Sequence, residues 1–258
     1  MSDAGSPAAP PPPPNLTPPP AYGGYSPNDI APAPLRRVGG MRTAILVLLG
    51  VYMLAALISI VATPAVVDAS EEYLAGGLRD EEFLERLAVN GIAGLLTVGA
   101  TVALLVLSII WLQRVVSNHR AIGRRTTWSP GWAIGGWFVP PLIVYAVPML
   151  VLRESWMASD PTVEPGDDRW RKSGVNPIIY VWWVLYGLVP IVFIGAGVAF
   201  QTGNLGGDED ELAESLIDGA GFTVAQSIVG ILSAIAWALI VRGITARHTA
   251  LTGEAAAR

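Results

Sequence analysis

Cysteine is absent from the 258 residues, which excludes disulfides, thiolate nucleophiles and thiolate metal sites. Histidine is nearly absent: His119 and His248 alone are too few to build a histidine metal site, so no metal is expected. Neither Ser129 nor Ser155 has an identifiable histidine base, and no glycine-rich phosphate cradle or spaced ligand pattern occurs. No cofactor and no enzymatic activity are therefore expected. Charge is scarce as well, at 14% against 52% hydrophobic residues, which places the chain among integral membrane proteins rather than soluble domains. The net charge of -5 resides in two acidic loops rather than over a face, and nothing supports nucleic acid as a partner. Nor does a secretory leader begin at Met1, because the first apolar run starts near Thr43; that run is expected to remain as an anchor.

Four uncharged runs stand out: 43–63, 92–112, 177–200 and 222–241. Each has the roughly 20-residue length that crosses a hydrocarbon core of about 30 Å, and backbone polar groups in lipid require helices. No Asp, Glu, Lys, Arg or His lies inside them, which disfavours ion- or proton-coupled transport. The loop after the first run is acidic, from Asp68 to Glu85, whereas Arg114, Arg120, Arg124 and Arg125 follow the second run without any acid. By the positive-inside rule the acidic loops lie outside and the arginines inside, as do Arg36, Arg37 and Arg42 before the first run. A second acidic loop, Asp208 to Asp218, precedes the last run, and Arg242 and Arg247 follow it. An even number of crossings satisfies this pattern, with both termini cytoplasmic in a cell (inner) membrane.

The stretch from Trp128 to Trp156 is apolar enough to enter the membrane but is broken by Pro140, Pro141 and Pro148. The reading that fits the even count is a hairpin over about 130–156, entering from the cytoplasm; a fifth, kinked span is the competing one. The expected architecture is all-α integral membrane, with four transmembrane helices, this re-entrant or interfacial hairpin, and a disordered N-terminal tail. In domain terms, 1–41 is a proline-rich tail, 42–248 the helical membrane domain and 249–258 a short C-terminal tail. The first segment holds Pro10 to Pro14 and Pro18 to Pro20 with little to bury, so polyproline II and a role in recruiting membrane or envelope proteins are expected of it.

Several residues emerge as candidates for interaction or for docking the hairpin. Trp111, Arg114 and Asn118 share one helix face at the inner end of the second run, where they are placed to receive the hairpin's return leg. Arg153 and Glu154 stand at the end of that leg beside Trp156, and Glu154 is expected to pair with Arg114 or Arg120. The cluster Arg120, Arg124 and Arg125 is suited to anionic headgroups, an attraction of about 1 kcal/mol per residue. All nine tryptophans, including Trp128, Trp132 and Trp137, fall toward the cytoplasmic side, which fits either interfacial anchoring or an aromatic-lined inner pocket. Asp80 to Ala88 reads as a short amphipathic helix capped by Asp80, with Glu82 set to pair with Arg86 and with Phe83, Leu84 and Leu87 on one side.

The ordered string Trp111, Arg114, Asn118, Trp128-Ser129-Pro130-Gly131-Trp132, Gly136-Trp137-Phe138-Val139-Pro140, Arg153-Glu154-Ser155-Trp156 and Ala158-Ser159-Asp160-Pro161 resembles a family of bacterial membrane proteins known only as a domain of unknown function. The resemblance covers about 43–241. It implies an actinobacterial type of protein with a proline-rich cytoplasmic leader, and it supplies no activity, substrate or cofactor. An asparagine and leucine often follow the first hairpin proline in that family, but Leu142, Ile143 and Val144 here are apolar, which removes a polar role for the tip. The function expected is that of a membrane-embedded interaction or regulatory component. The alternative is a channel or transporter component built on the broken hairpin.

Overall fold

The computed structural model describes residues 34–138, 146–190 and 208–254. The tail before Pro34, the hairpin tip with Pro140 and Pro141, and the 191–200 portion of the third run lie outside the described residues. All regular elements among those described are helical.

Three long helices dominate: α1 (Gly39–Leu74), α2 (Asp80–Ala121) and, late in the chain, Ala220–Thr252. Between α2 and that last helix come α3 (Trp132–Gly135), which continues as a 3-10 turn to Phe138, then α4 (Ala146–Ala158), α5 (Ile178–Trp182) and α6 (Glu209–Asp218). The last helix is therefore α7. With 36, 42 and 33 residues, α1, α2 and α7 are long and apolar enough to cross a membrane. At 1.5 Å per residue they extend about 54, 63 and 50 Å, well beyond a hydrocarbon core of about 30 Å. Val61 and Leu95, 78% and 76% exposed in mid-helix, suit contact with lipid chains rather than water.

Both long N-terminal helices outrun their expected boundaries. The first span was expected to end at Thr63, but α1 continues through Pro64 and carries Asp68, Glu71 and Glu72 on helix. Pro64 leaves the Ile60 carbonyl without its helical donor, a loss that membrane helices tolerate more readily than soluble ones. Likewise Asp80 to Ala88 is the first part of α2 rather than a separate amphipathic helix. Arg79, not Asp80, occupies the cap: its backbone N–H donates to Glu82 at 3.3 Å, and its guanidinium pairs with the same carboxylate at 2.9 Å. Arg86 instead meets Glu72 of α1 at 2.6 Å. Phe83 is buried and stacks on Tyr73 at 4.4 Å, while Leu84 points outward.

α6 closes this acidic end. Asp208 caps it by accepting from Glu211 N at 3.1 Å, and Glu209, Asp210 and Glu211 place negative charge where the helix dipole favours it. Its Ala213 packs with Ala69 and Phe83, which brings both acidic segments to the same end of the bundle.

The pairing of α2 with α7 fixes their direction. Trp237 Nε1 donates to Ser108 Oγ, Trp111 Nε1 to Thr245 Oγ1, and Asn118 meets His248, at sequence separations of 129, 134 and 130. A nearly constant offset means that the helices run parallel. Both proceed from the acidic end to a basic one, and α1, joined to α2 through Tyr73 and Phe83 at one end and Arg36 and Asn118 at the other, runs opposite.

The two legs of the hairpin pack on one another. A Cβ on Gly136 would sit 2.6 Å from Val147 Cγ1, so only glycine permits this approach. Pro148 does not break α4, because it lies in the first turn, where backbone N–H groups lack helical acceptors in any case. Further on, α5 passes into a π-helix over Trp183–Leu188 just before Pro190. The wider turn accommodates a proline that cannot donate to the carbonyl of Tyr186.

Candidate functional site

The basic end is a network in which backbone groups of one segment are satisfied by side chains of another. It begins at Asn118, whose Oδ1 accepts from Arg36 N and whose Nδ2 donates to Arg36 O, both at 2.8 Å. The two bonds orient the amide, so Nδ2 also donates to His248 Nε2 at 3.0 Å and the imidazole accepts there. His119 Nε2 meets Ser159 Oγ at 3.0 Å, and the two buried imidazoles lie edge to face at 5.1 Å. Glu254 completes the link between chain ends. Its carboxylate accepts from Val38 N and Gly39 N at 3.1 and 3.0 Å, at the N-terminus of α1 where the dipole favours an anion. Gly253, in the left-handed conformation at φ +73, ends α7 and sets Glu254 there.

Residues 124–128 and the end of α4 clamp each other reciprocally. Arg124 is only 1% exposed and directs its guanidinium to the carbonyls of Ala158, Asp160 and Val163. In the opposite direction, Glu154 accepts from Thr127 N at 2.7 Å and Trp128 N at 2.9 Å. Arg247 of α7 adds an ion pair to Asp160 at 3.2 Å and lies over Trp156 at 5.3 Å, with Trp156 closely packed on Gly243. Burial opposes ionisation of Asp160, but bonds from Ser173 and Thr162 and the Arg247 charge outweigh it and hold the carboxyl at about 2.

Three expectations change here. The face of Trp111, Arg114 and Asn118 directs its polar groups to α7 and to residues 36 and 37 rather than to the return leg, with Arg114 donating to the Arg37 carbonyl at 3.1 Å. Glu154 forms no ion pair with Arg114 or Arg120 among the described residues, because two backbone donors already hold it. Arg124 leaves the surface cluster for the interior, while Arg120 and Arg125 remain exposed, as does Arg153. Pro140 lies outside the described residues, and Pro148 is buried in α4.

Aromatic residues gather above this network. Trp237 touches Trp111, Trp137 and Trp182 at ring distances of 6.0, 6.2 and 4.9 Å, and Trp182 stacks on Tyr186 at 5.1 Å. Trp128 and Trp132 form a separate pair at 5.7 Å, with Trp132 largely exposed. The rings thus divide between an inner cluster and a more exposed pair. Beside the inner cluster is a cavity of about 520 Å³, bounded by α1, α2, α5 and its π-helical continuation, and α7. Trp137, Trp182 and Trp237 wall one half of it; Tyr52, Gln226 and Ser233 line it as well.

No structural role was expected of His119, His248, Ser159 or Glu254, and Arg124 was expected at the surface with Arg120 and Arg125. The histidines carried a signal, since each follows an uncharged run by seven residues and both runs end at one side. Arg124 carried none, because nothing in the sequence separates it from Arg120 and Arg125.

A family model described as Domain of unknown function (DUF4328) matches residues 81–246, more than half of the chain. The match starts in the first turn of α2 and ends six residues before the end of α7, so it contains both hairpin legs and the Arg124–Glu154 clamp. No curated protein and no solved structure matches the chain.

Proposed function

The chain belongs to the DUF4328 family, and we propose that it is a non-enzymatic, multi-pass protein of the cell membrane whose basic end is an interaction platform. Four crossings with a cytoplasmic basic end are the topology of this reading. Their support is the parallel run of α2 and α7, with α2 ending at the basic end and α6 and α7 starting at the acidic one, which suits a single return crossing between them. Exposed Arg120, Arg125, Arg153 and Arg242 then face anionic headgroups or acidic partner surfaces.

What carries the proposal is that the buried charged groups of this end, Arg124 and Glu154, are spent on backbone atoms. Arg124 and Glu154 each hold backbone atoms, and His119 and His248 meet Ser159 and Asn118 through Nε2 while their Nδ1 atoms have no partner among the described residues, an arrangement that chiefly rigidifies a surface. Residues 34–38, which join the proline-rich segment to α1, are fastened to the same end through Arg36 and Val38. A tail attached at a rigid basic platform suits recruitment of membrane or envelope proteins.

Cross-linking in cells, with and without residues 1–33, tests this. The proposal expects a reproducible set of membrane proteins lost on tail deletion and reduced when Arg120 and Arg125 become glutamine. If cross-linking is unchanged by either alteration and proteoliposomes instead show solute flux, the channel or transporter reading replaces it.

A further inference from the structure

The cavity beside α7 has an uneven chemical lining. Its basic half is walled by Trp137, Trp182 and Trp237, whereas its other half presents Tyr52 from α1 with Gln226 and Ser233 from α7. Gln226, Gly230, Ser233 and Trp237 fall at i, i+4, i+7 and i+11, along one face of α7 that spans about 16 Å. Tyr52 crosses to this face at Gly230, where a Cβ would stand 2.2 Å from the phenol oxygen. The small residue therefore brings the hydroxyl into line with the amide and the serine.

No hydrogen bond joins these three polar groups to another described residue; Ser233 is buried, with a relative exposure of 7%, Tyr52 is half-buried and Gln226 is exposed. Their neighbours are engaged: Ser108 accepts from Trp237, and Thr101 donates to the Thr97 carbonyl. Helix packing thus accounts for Ser108 and Thr101 and leaves Tyr52, Gln226 and Ser233 lining the cavity, where Trp137 Nε1 is buried without a hydrogen-bond partner among the described residues. A ligand with matching donors and acceptors would satisfy these groups inside the cavity.

From this arrangement we propose that the cavity binds a neutral amphipathic lipid, its hydroxyl or ester oxygens at Tyr52, Gln226 and Ser233 and its apolar portion against the tryptophans. The volume of about 520 Å³ lies in the range of small-molecule sites, about 300–1,000 Å³. Charge selects the class. No acidic or basic side chain occurs among the described lining residues, so a carboxylate or phosphate head would be desolvated there without a counter-ion. A neutral head loses water but recovers hydrogen bonds. Bilayer depth also selects for a molecule that partitions into the membrane.

The test uses the full chain in nanodiscs with a diazirine-bearing monoacylglycerol as probe, and maps adducts by peptide mass spectrometry. Saturable labelling within Trp182–Tyr186 and Gln226–Trp237 is expected, displaced by unlabelled monoacylglycerol but not by the corresponding fatty acid at a pH where it is ionised. Gln226→Leu with Ser233→Ala should lower labelling about five-fold, the loss expected from one to two hydrogen bonds. Adducts spread over lipid-facing positions such as Val61 and Leu95, without saturation, would overturn the proposal. So would equal displacement by the ionised fatty acid. The competition experiment needs only the natural chain, so it decides the matter even where the double variant fails to fold.

Discussion

Arg124→Ala is expected to destabilise the protein by about 3–5 kcal/mol, because three carbonyls of a part-buried turn lose their donor together. Thermal unfolding in detergent should show a midpoint lower by about 10 °C for a chain of this size. Lysine should rescue little of the loss. Its compact ammonium cannot match the planar fork that reaches the carbonyls of Ala158, Asp160 and Val163 at once. By comparison, Arg125→Ala removes an exposed neighbouring cation and should leave the midpoint within about 1 °C. Equal effects at the two positions would contradict the buried role of Arg124.

Glu154→Ala should cost about 2–4 kcal/mol, since the N–H groups of Thr127 and Trp128 lose their acceptor. Glu154→Gln keeps one oxygen but turns an amide N–H₂ toward the second donor, so an intermediate loss is expected. The two sites should also be coupled. Arg124 holds the segment that follows α4, and Glu154, from α4, holds the segment that follows Arg124, so breaking either clamp loosens the other. In a double-mutant cycle the combined loss should fall short of the sum of the single losses by about 1 kcal/mol or more. Strict additivity would mean that the clamps act independently.

Hydropathy and charge asymmetry made the helical membrane class and the separation of acidic from basic ends legible in the sequence. The boundaries were less so. Pro64 and the acids at 68–72 look like the end of a span, yet helix geometry continues wherever packing supplies partners, as Phe83 does for Tyr73. The reciprocal clamp was illegible for a different reason. Arg124 and Glu154 bond to backbone atoms, which every residue possesses, so no complementary side-chain pattern marks their partners. Glu154 was expected to pair with Arg114 or Arg120, an ionic partner that side-chain chemistry suggests. The tryptophan asymmetry was visible, but its division into an inner cluster and a more exposed pair depends on the packing of α5 and α7 around Trp237.

The topology is tested most directly by single-cysteine accessibility, and a chain without cysteine has no background labelling. Glu81, Glu164 and Glu211 are exposed; Glu164 is preferable to nearby Gly166, whose φ of +83 would strain a side chain. Each is replaced by cysteine and treated in intact cells with a membrane-impermeant maleimide. Four crossings predict labelling at 81 and 211, with 164 reacting only after permeabilisation. Labelling at 81 and 164 with protection at 211 would place a fifth crossing between α2 and α5 and contradict the proposed topology.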